Sequence, residues 1–112
     1  MELTKKDKKV ARQLIDNGLN KEFENGLNKA AAVLKNWNDK VNDNRDSYHI
    51  LYKTIKDFDK HIARRYDGRI GSDYFNIVLE QLRDGLIKES DLNNFSEEVR
   101  QRLFGINKYL IE

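Results

Sequence analysis

Apolar residues recur along most of this chain at intervals of three and four, the repeat of one face of an α-helix. Between Ser47 and Tyr66, the residues Tyr48, Leu51, Tyr52, Ile55, Phe58, Ile62 and Tyr66 fall on one stripe, with Lys53, Lys56, Lys60 and Arg64 on the far side. One position breaks the pattern. Asp59 projects into the stripe between Tyr52 and Tyr66, where an unpaired charge is costly. The spacing therefore predicts a helix with Asp59 as a buried polar anchor, bonded to a tyrosine hydroxyl or an arginine of a neighbouring helix.

The same periodicity lays out the other elements. Thr4 is the expected N-cap of a first helix with Asp7 at its third position and Val10, Leu14 and Ile15 inside, and Asn17-Gly18 reads as its stop. A second helix is expected from about Asn20 to Val41, where Leu19, Phe23, Leu27, Ala30, Leu34, Trp37 and Val41 alternate by fours and threes. Gly26 lies beside that seam and permits close approach of another helix. Asn42 to Asp46 is a loop, and Asp46 or Ser47 is the expected cap of the third helix. The run Asp67 to Ser72 breaks the pattern again. A fourth helix follows, expected to be the most buried because Tyr74, Phe75, Val78, Leu79, Leu82 and Leu86 cover a broad arc, with Gly85 weakening its last turn. Ser90-Asp91-Leu92 suggests a short helical turn. Ser96 caps a fifth helix carrying Val99, Leu103, Ile106 and Leu110, with Phe95 as a staple and Phe104 and Ile111 on a second stripe. The expected fold is all-α: one domain over residues 1–112, an antiparallel bundle of four long helices plus a short one.

Composition narrows the function classes. With 36% charged and 38% hydrophobic residues and no proline, the 112-residue chain has enough apolar material for one compact core and a densely charged surface. It has no cysteine, which excludes disulfides, thiol catalysis and Cys-ligated metal. The charged stretch Met1 to Arg12 is not a signal peptide, and no apolar run approaches the length of a membrane span, so a cytoplasmic setting is expected. The net charge of +2 divides unevenly: residues 1–69 carry 16 basic and 11 acidic groups, residues 70–112 carry 5 and 8.

Candidate chemistry is sparse. Asn42, Asn44 and Asp46 imitate an EF-hand start, but Ser47 stands where glycine is needed and Lys53 where the bidentate glutamate belongs. Asp57 and His61 are one turn apart without the second Glu-x-x-His pair of a di-metal bundle, so neither metal nor cofactor is expected. No nucleophile, phosphate-loop or dinucleotide motif is present. Enzymatic use of Asp59 is a minor alternative, since no second carboxylate shares its face. The junction His61 to Ser72 is an expected anion or partner site, gathering Lys60, His61, Arg64, Arg65 and Arg69 beside a new helix N-terminus at Ser72. Arg65 could instead turn inward onto a carboxylate. The rows Lys53/Lys56/Lys60/Arg64 and Lys5/Lys8/Lys9/Arg12 could neutralise phosphates, though a helix-turn-helix over Leu86 to Leu103 fails on its short connection and on Glu97 and Glu98. Trp37, Phe104 and Ile111 supply apolar surface beyond what one packing direction needs and are the expected interface. These features point to a non-catalytic helical module that binds a protein partner or a second copy of itself. Weak nucleic-acid or anion binding is the alternative, and no membrane association is expected.

Overall fold

Thr4 stands just ahead of the first helix, and its hydroxyl accepts the Asp7 backbone N–H at 3.1 Å, the cap expected from the sequence. From there α1 runs Lys5–Asn38, followed by α2 at Asn44–Tyr66, a 3-10 turn at Gly71–Asp73, α3 at Tyr74–Arg83, a second 3-10 turn at Glu89–Asn94 and α4 at Glu97–Ile111. In this computed structural model the backbone is described for residues 1–111 and the side chains for residues 1–108. The side chains of Leu110 and Ile111, expected core and interface positions, lie outside the described residues. No strand occurs among the described residues, and the fold is all-α, helix packed on helix. By its contacts the chain divides into two compact units, Met1–Lys21 with Gly68–Glu112, and Glu22–Asp67.

The first unit holds the apolar core. Leu3, Ala11 and Leu14 from α1 meet Phe75, Val78 and Leu82 from α3, Leu92 and Phe95 around the second 3-10 turn, and Val99 and Leu103 from α4. As expected, α3 is the most buried helix, with five of its ten residues enclosed. Gly85 lies beyond its last turn: φ is +75° there, and the N–H groups of Gly85 and Leu86 return to the carbonyls of Leu82 and Gln81. That is a Schellman stop, so Gly85 ends the helix where the sequence suggested only a weakened turn. Asp7 fastens the two ends of the chain. Its carboxylate accepts the Ser96 N–H at 2.9 Å and the Ser96 hydroxyl at 2.8 Å, capping α4 from 89 residues away.

Gly18 departs from expectation. The sequence reads Asn17-Gly18 as a helix stop, yet α1 continues through it for twenty more residues. A Cβ on Gly18 would lie 2.4 Å from Gln81 Nε2, which itself donates to the Ile15 carbonyl at 3.0 Å. Glycine is there to admit the buried Gln81 side chain against α1. Its cost in helix propensity, about 1 kcal/mol, is small against twenty further backbone bonds.

The second unit is a helical hairpin of residues 22–38 and α2. The first arm ends without glycine: Lys40 adopts φ 61°, and the N–H groups of Lys40 and Val41 return to Trp37 and Asn36. Asp43 then caps α2, accepting the Asp46 N–H at 2.7 Å, so the cap stands three or four residues before the expected Asp46 or Ser47. Contacts of Gly26 with Phe58, Glu22 with Arg65, and Trp37 with Asn44 run in opposite chain directions, which makes the arms antiparallel.

Candidate functional site

In the hairpin, the row of α2 turned toward the opposite arm is Ser47, Leu51, Thr54, Phe58, His61 and Arg65, of which Ser47 and Arg65 are buried and the rest half-buried. From the other arm Glu22 is buried, and Gly26, Ala30 and Val33 are half-buried. Small residues let the helices approach closely: the Phe58 ring sits where a Gly26 Cβ would be, at 2.8 Å, and packs edge-on to Phe23 with centroids 6.1 Å apart.

A buried carboxylate lies at the open end of this interface. Glu22 Oε1 accepts from Arg65 Nη1 at 2.9 Å and meets His61 Nε2 at 2.7 Å, and Glu22 Oε2 accepts the Tyr66 hydroxyl. Glu22 and Arg65 side chains are 7% and 8% exposed, so this pair compensates out of water, with the half-buried His61 and Tyr66 at its edge. Arg65 thus turns inward, as the edge position allowed, and takes His61 with it. The acid it meets was missed because Glu22 falls one position off the apolar seam and its partners lie 39 to 44 residues away. Beside the cluster, Asn25, Lys29, Thr54 and Asp57 line an open polar pocket of about 440 Å³.

Polar groups inside the hairpin leave many of its hydrophobic ones outside. Phe23, Leu27, Leu34 and Trp37 on one arm and Tyr48, Tyr52 and Ile55 on the other are exposed, with Leu27 at 71%, Tyr48 at 69% and Tyr52 at 59%. By helical geometry these seven lie to one side of the contact row on each helix, forming a common face. Its floor is an apolar groove of about 380 Å³ lined by Phe23, Gly26, Leu27, Ala30, Ile55 and Phe58. Trp37, an expected interface residue, closes the face near the turn and donates from Nε1 to Asn44 at 2.8 Å.

Asp59 is not the expected buried anchor. It is exposed and has no hydrogen bond or ion pair among the described residues. The periodicity located the stripe correctly but not its rotation: the helix turns Ser47, Thr54 and Arg65 inward, which swings Tyr48, Tyr52, Ile55 and Asp59 to the outside. Phe104, another expected interface residue, is half-buried and packs against the apolar core of the first unit.

Of the expected anion-site residues, Lys60, His61, Arg64 and Arg65 belong to the hairpin, and Arg69 and Ser72 to the first unit. His61 and Arg65 are engaged with Glu22, Lys60 and Arg64 are exposed, Arg69 approaches Asp73 at 3.7 Å, and Ser72 is exposed within a three-residue turn. The basic row Lys53, Lys56, Lys60 and Arg64 is exposed as expected. It makes Asp57 more acidic than an ordinary aspartate, chiefly through the Lys53 hydrogen bond, which together with the charges of Lys53, Lys60 and Lys56 outweighs an opposing desolvation. Lys5, Lys9 and Arg12 are exposed and Lys8 is half-buried. In the first unit, burial disfavours the charged form of Asp7, but the Ser96 and Thr4 hydrogen bonds and the charge of Lys6 outweigh it and hold its pKa below the usual value.

Among the described residues no group of three or more His, Cys, Asp or Glu side chains could hold a metal ion, and no helix is long and apolar enough to cross a membrane. Comparison with protein-family models, curated proteins and solved structures returns no match for this chain.

Proposed function

We propose that this chain is a non-catalytic helical interaction module of the cytoplasm, and that the apolar face of the hairpin is the surface through which it binds protein. The observation that carries this reading is the inversion of the hairpin: Glu22 and Arg65 are buried while Leu27, Tyr48 and Tyr52 are exposed. Scattered surface hydrophobes are ordinary, but a continuous apolar face on two adjacent helices is characteristic of a binding site. Aromatic residues with polar tips, as at Trp37, Tyr48 and Tyr52, suit a surface that alternates between water and a partner. The absence of cysteine and the charged surface support the cytoplasmic setting.

A second reading, phosphate binding by the outer row of α2, is favoured by the exposure of Lys53, Lys56, Lys60 and Arg64 along one side of the helix. It is weakened by Lys53, which is already paired with Asp57, and by Lys56, which lies over the Tyr52 ring at 5.9 Å. Titration of a labelled oligonucleotide separates the two: phosphate neutralisation gives affinity that falls steeply with salt, and an apolar face does not.

The test of the main reading is a photoreactive amino acid at Leu27, with the exposed Gln101 of α4 as control, used on the purified full chain and in extract. Protein adducts, a second copy included, are expected from position 27 only. No adduct from either position, or equal adducts from both, overturns it.

A further inference from the structure

We infer that the occupant of the hairpin face is a second copy of this chain, the two hairpins closing into a four-helix bundle about a twofold axis; this rests on reading the face as a binding surface. Two helices alone cannot enclose an apolar interior, and among the described residues none of the buried hydrophobic ones lies in the hairpin. Four helices can, because each then presents its stripe to two neighbours.

The area fits a stable pair. The seven side chains of the face are 45% to 71% exposed. With roughly 150–250 Å² for a whole aromatic side chain and somewhat less for an aliphatic one, they offer on the order of 700 Å² per copy. A standard interface buries about 800 Å² per partner.

The shape is self-complementary. One surface carries both a groove floored by Gly26 and Ala30 and protruding side chains, Leu27 and Tyr52, of a size to fill it. A twofold interface needs this, because each patch must be knob and hole at once. The charges suit a copy better than a strongly charged partner: Glu24 and Lys35 flank the face on one arm and Lys56 on the other, and Asp59 stands within it, so neither sign dominates.

Sedimentation equilibrium of the full chain, from low micromolar to millimolar concentration, tests the inference. A monomer–dimer equilibrium is expected, weakened by more than an order of magnitude in the double variant Leu27→Glu/Tyr52→Glu and unchanged in Gln101→Glu, with helix content preserved in both. Trp37 is the sole tryptophan, and its emission in the wild-type chain is expected to shift to the red on dilution along the same curve as the mass. That measurement needs no variant to fold. A monomeric mass throughout overturns the inference even if position 27 captures another protein, which would leave the interaction reading standing. A dimer indifferent to the double substitution, or one whose Trp37 spectrum ignores the mass transition, places the contact elsewhere and also overturns it.

Discussion

The two units of this protein are built from the same kinds of helix but resolve the problem of polar and apolar surface in opposite ways. In the first, Leu14, Val78, Leu92 and Leu103 are enclosed, and the buried acid Asp7 accepts from Thr4 at the start of α1 and from Ser96 at the start of α4. In the second, the interior of the hairpin carries an acid, an arginine and a histidine beside Leu51 and Phe58, and seven large hydrophobes face outward. The difference teaches that helical periodicity describes a stripe without saying whether it will be the inside. Three elements around one core let the stripes face one another; two helices have only a line of contact, and close packing through Gly26 and Phe58 decides what occupies it.

The sharpest way to break this contrast is at Glu22. Glu22→Ala leaves Arg65 buried without its carboxylate and should cost the hairpin about 3–5 kcal/mol, visible as hydrogen exchange that rises across residues 22–67 and much less elsewhere. The paired change Glu22→Leu/Arg65→Met should recover part of that loss, since apolar replacement of both partners removes the uncompensated charge. Should Glu22→Ala raise exchange equally in both units, they would not be separable in stability.

Glycine substitutions come next, probing the close approaches of each unit. Gly18→Ala forces a Cβ against the buried Gln81 amide, and Gly26→Ala forces one against the Phe58 ring; overpacking of this kind costs about 1–3 kcal/mol. Thermal melts should fall for both, with Trp37 emission changing only for Gly26→Ala. A neutral Gly18→Ala would mean that glycine is there for a reason other than space.

Asp7 offers a pH test confined to the first unit. Its folded pKa lies below the unfolded value, so its stabilisation is complete above the ordinary aspartate range and is lost as pH falls through the lowered folded pKa. Asp7→Asn should remove about 1–3 kcal/mol at neutral pH and flatten the acid limb of a stability–pH curve. An unchanged acid limb would show that other carboxylates govern it.

The smallest effect is expected at Asp59. Exposed and unpaired among the described residues, it should change stability by less than about 0.5 kcal/mol on replacement by Ala, well below the loss that a buried anchor would give. Set among Tyr52, Ile55 and Leu27, its charge resists covering of the face, and Asp59→Asn should tighten self-association a few-fold by sedimentation. Weaker association would mean that the carboxylate finds a cation in the pair.

Much of the fold was legible because its causes are local. Thr4 caps α1, Ser96 precedes α4, and the arc from Phe75 to Leu82 is buried, each following from side chains within a turn or two of one another. The candidate site was legible only in part. Trp37 stands on the exposed face, but Phe104 packs against the core, and the inward turn of Arg65 was foreseeable without its partner. No spacing rule connects Glu22 to residues 39 to 44 positions away.

What the sequence by itself determined is the helical class, the caps at Thr4 and Ser96 and the membership of each stripe, since these depend on 3.6-residue geometry and nearby hydrogen bonds. Only the tertiary structure decided that α1 passes through Gly18, that α2 rotates Asp59 outward, and that Glu22 gathers Arg65, His61 and Tyr66. Each of these turns on which side chain of a distant helix fills a particular space, and close packing settles that only when both helices are in place.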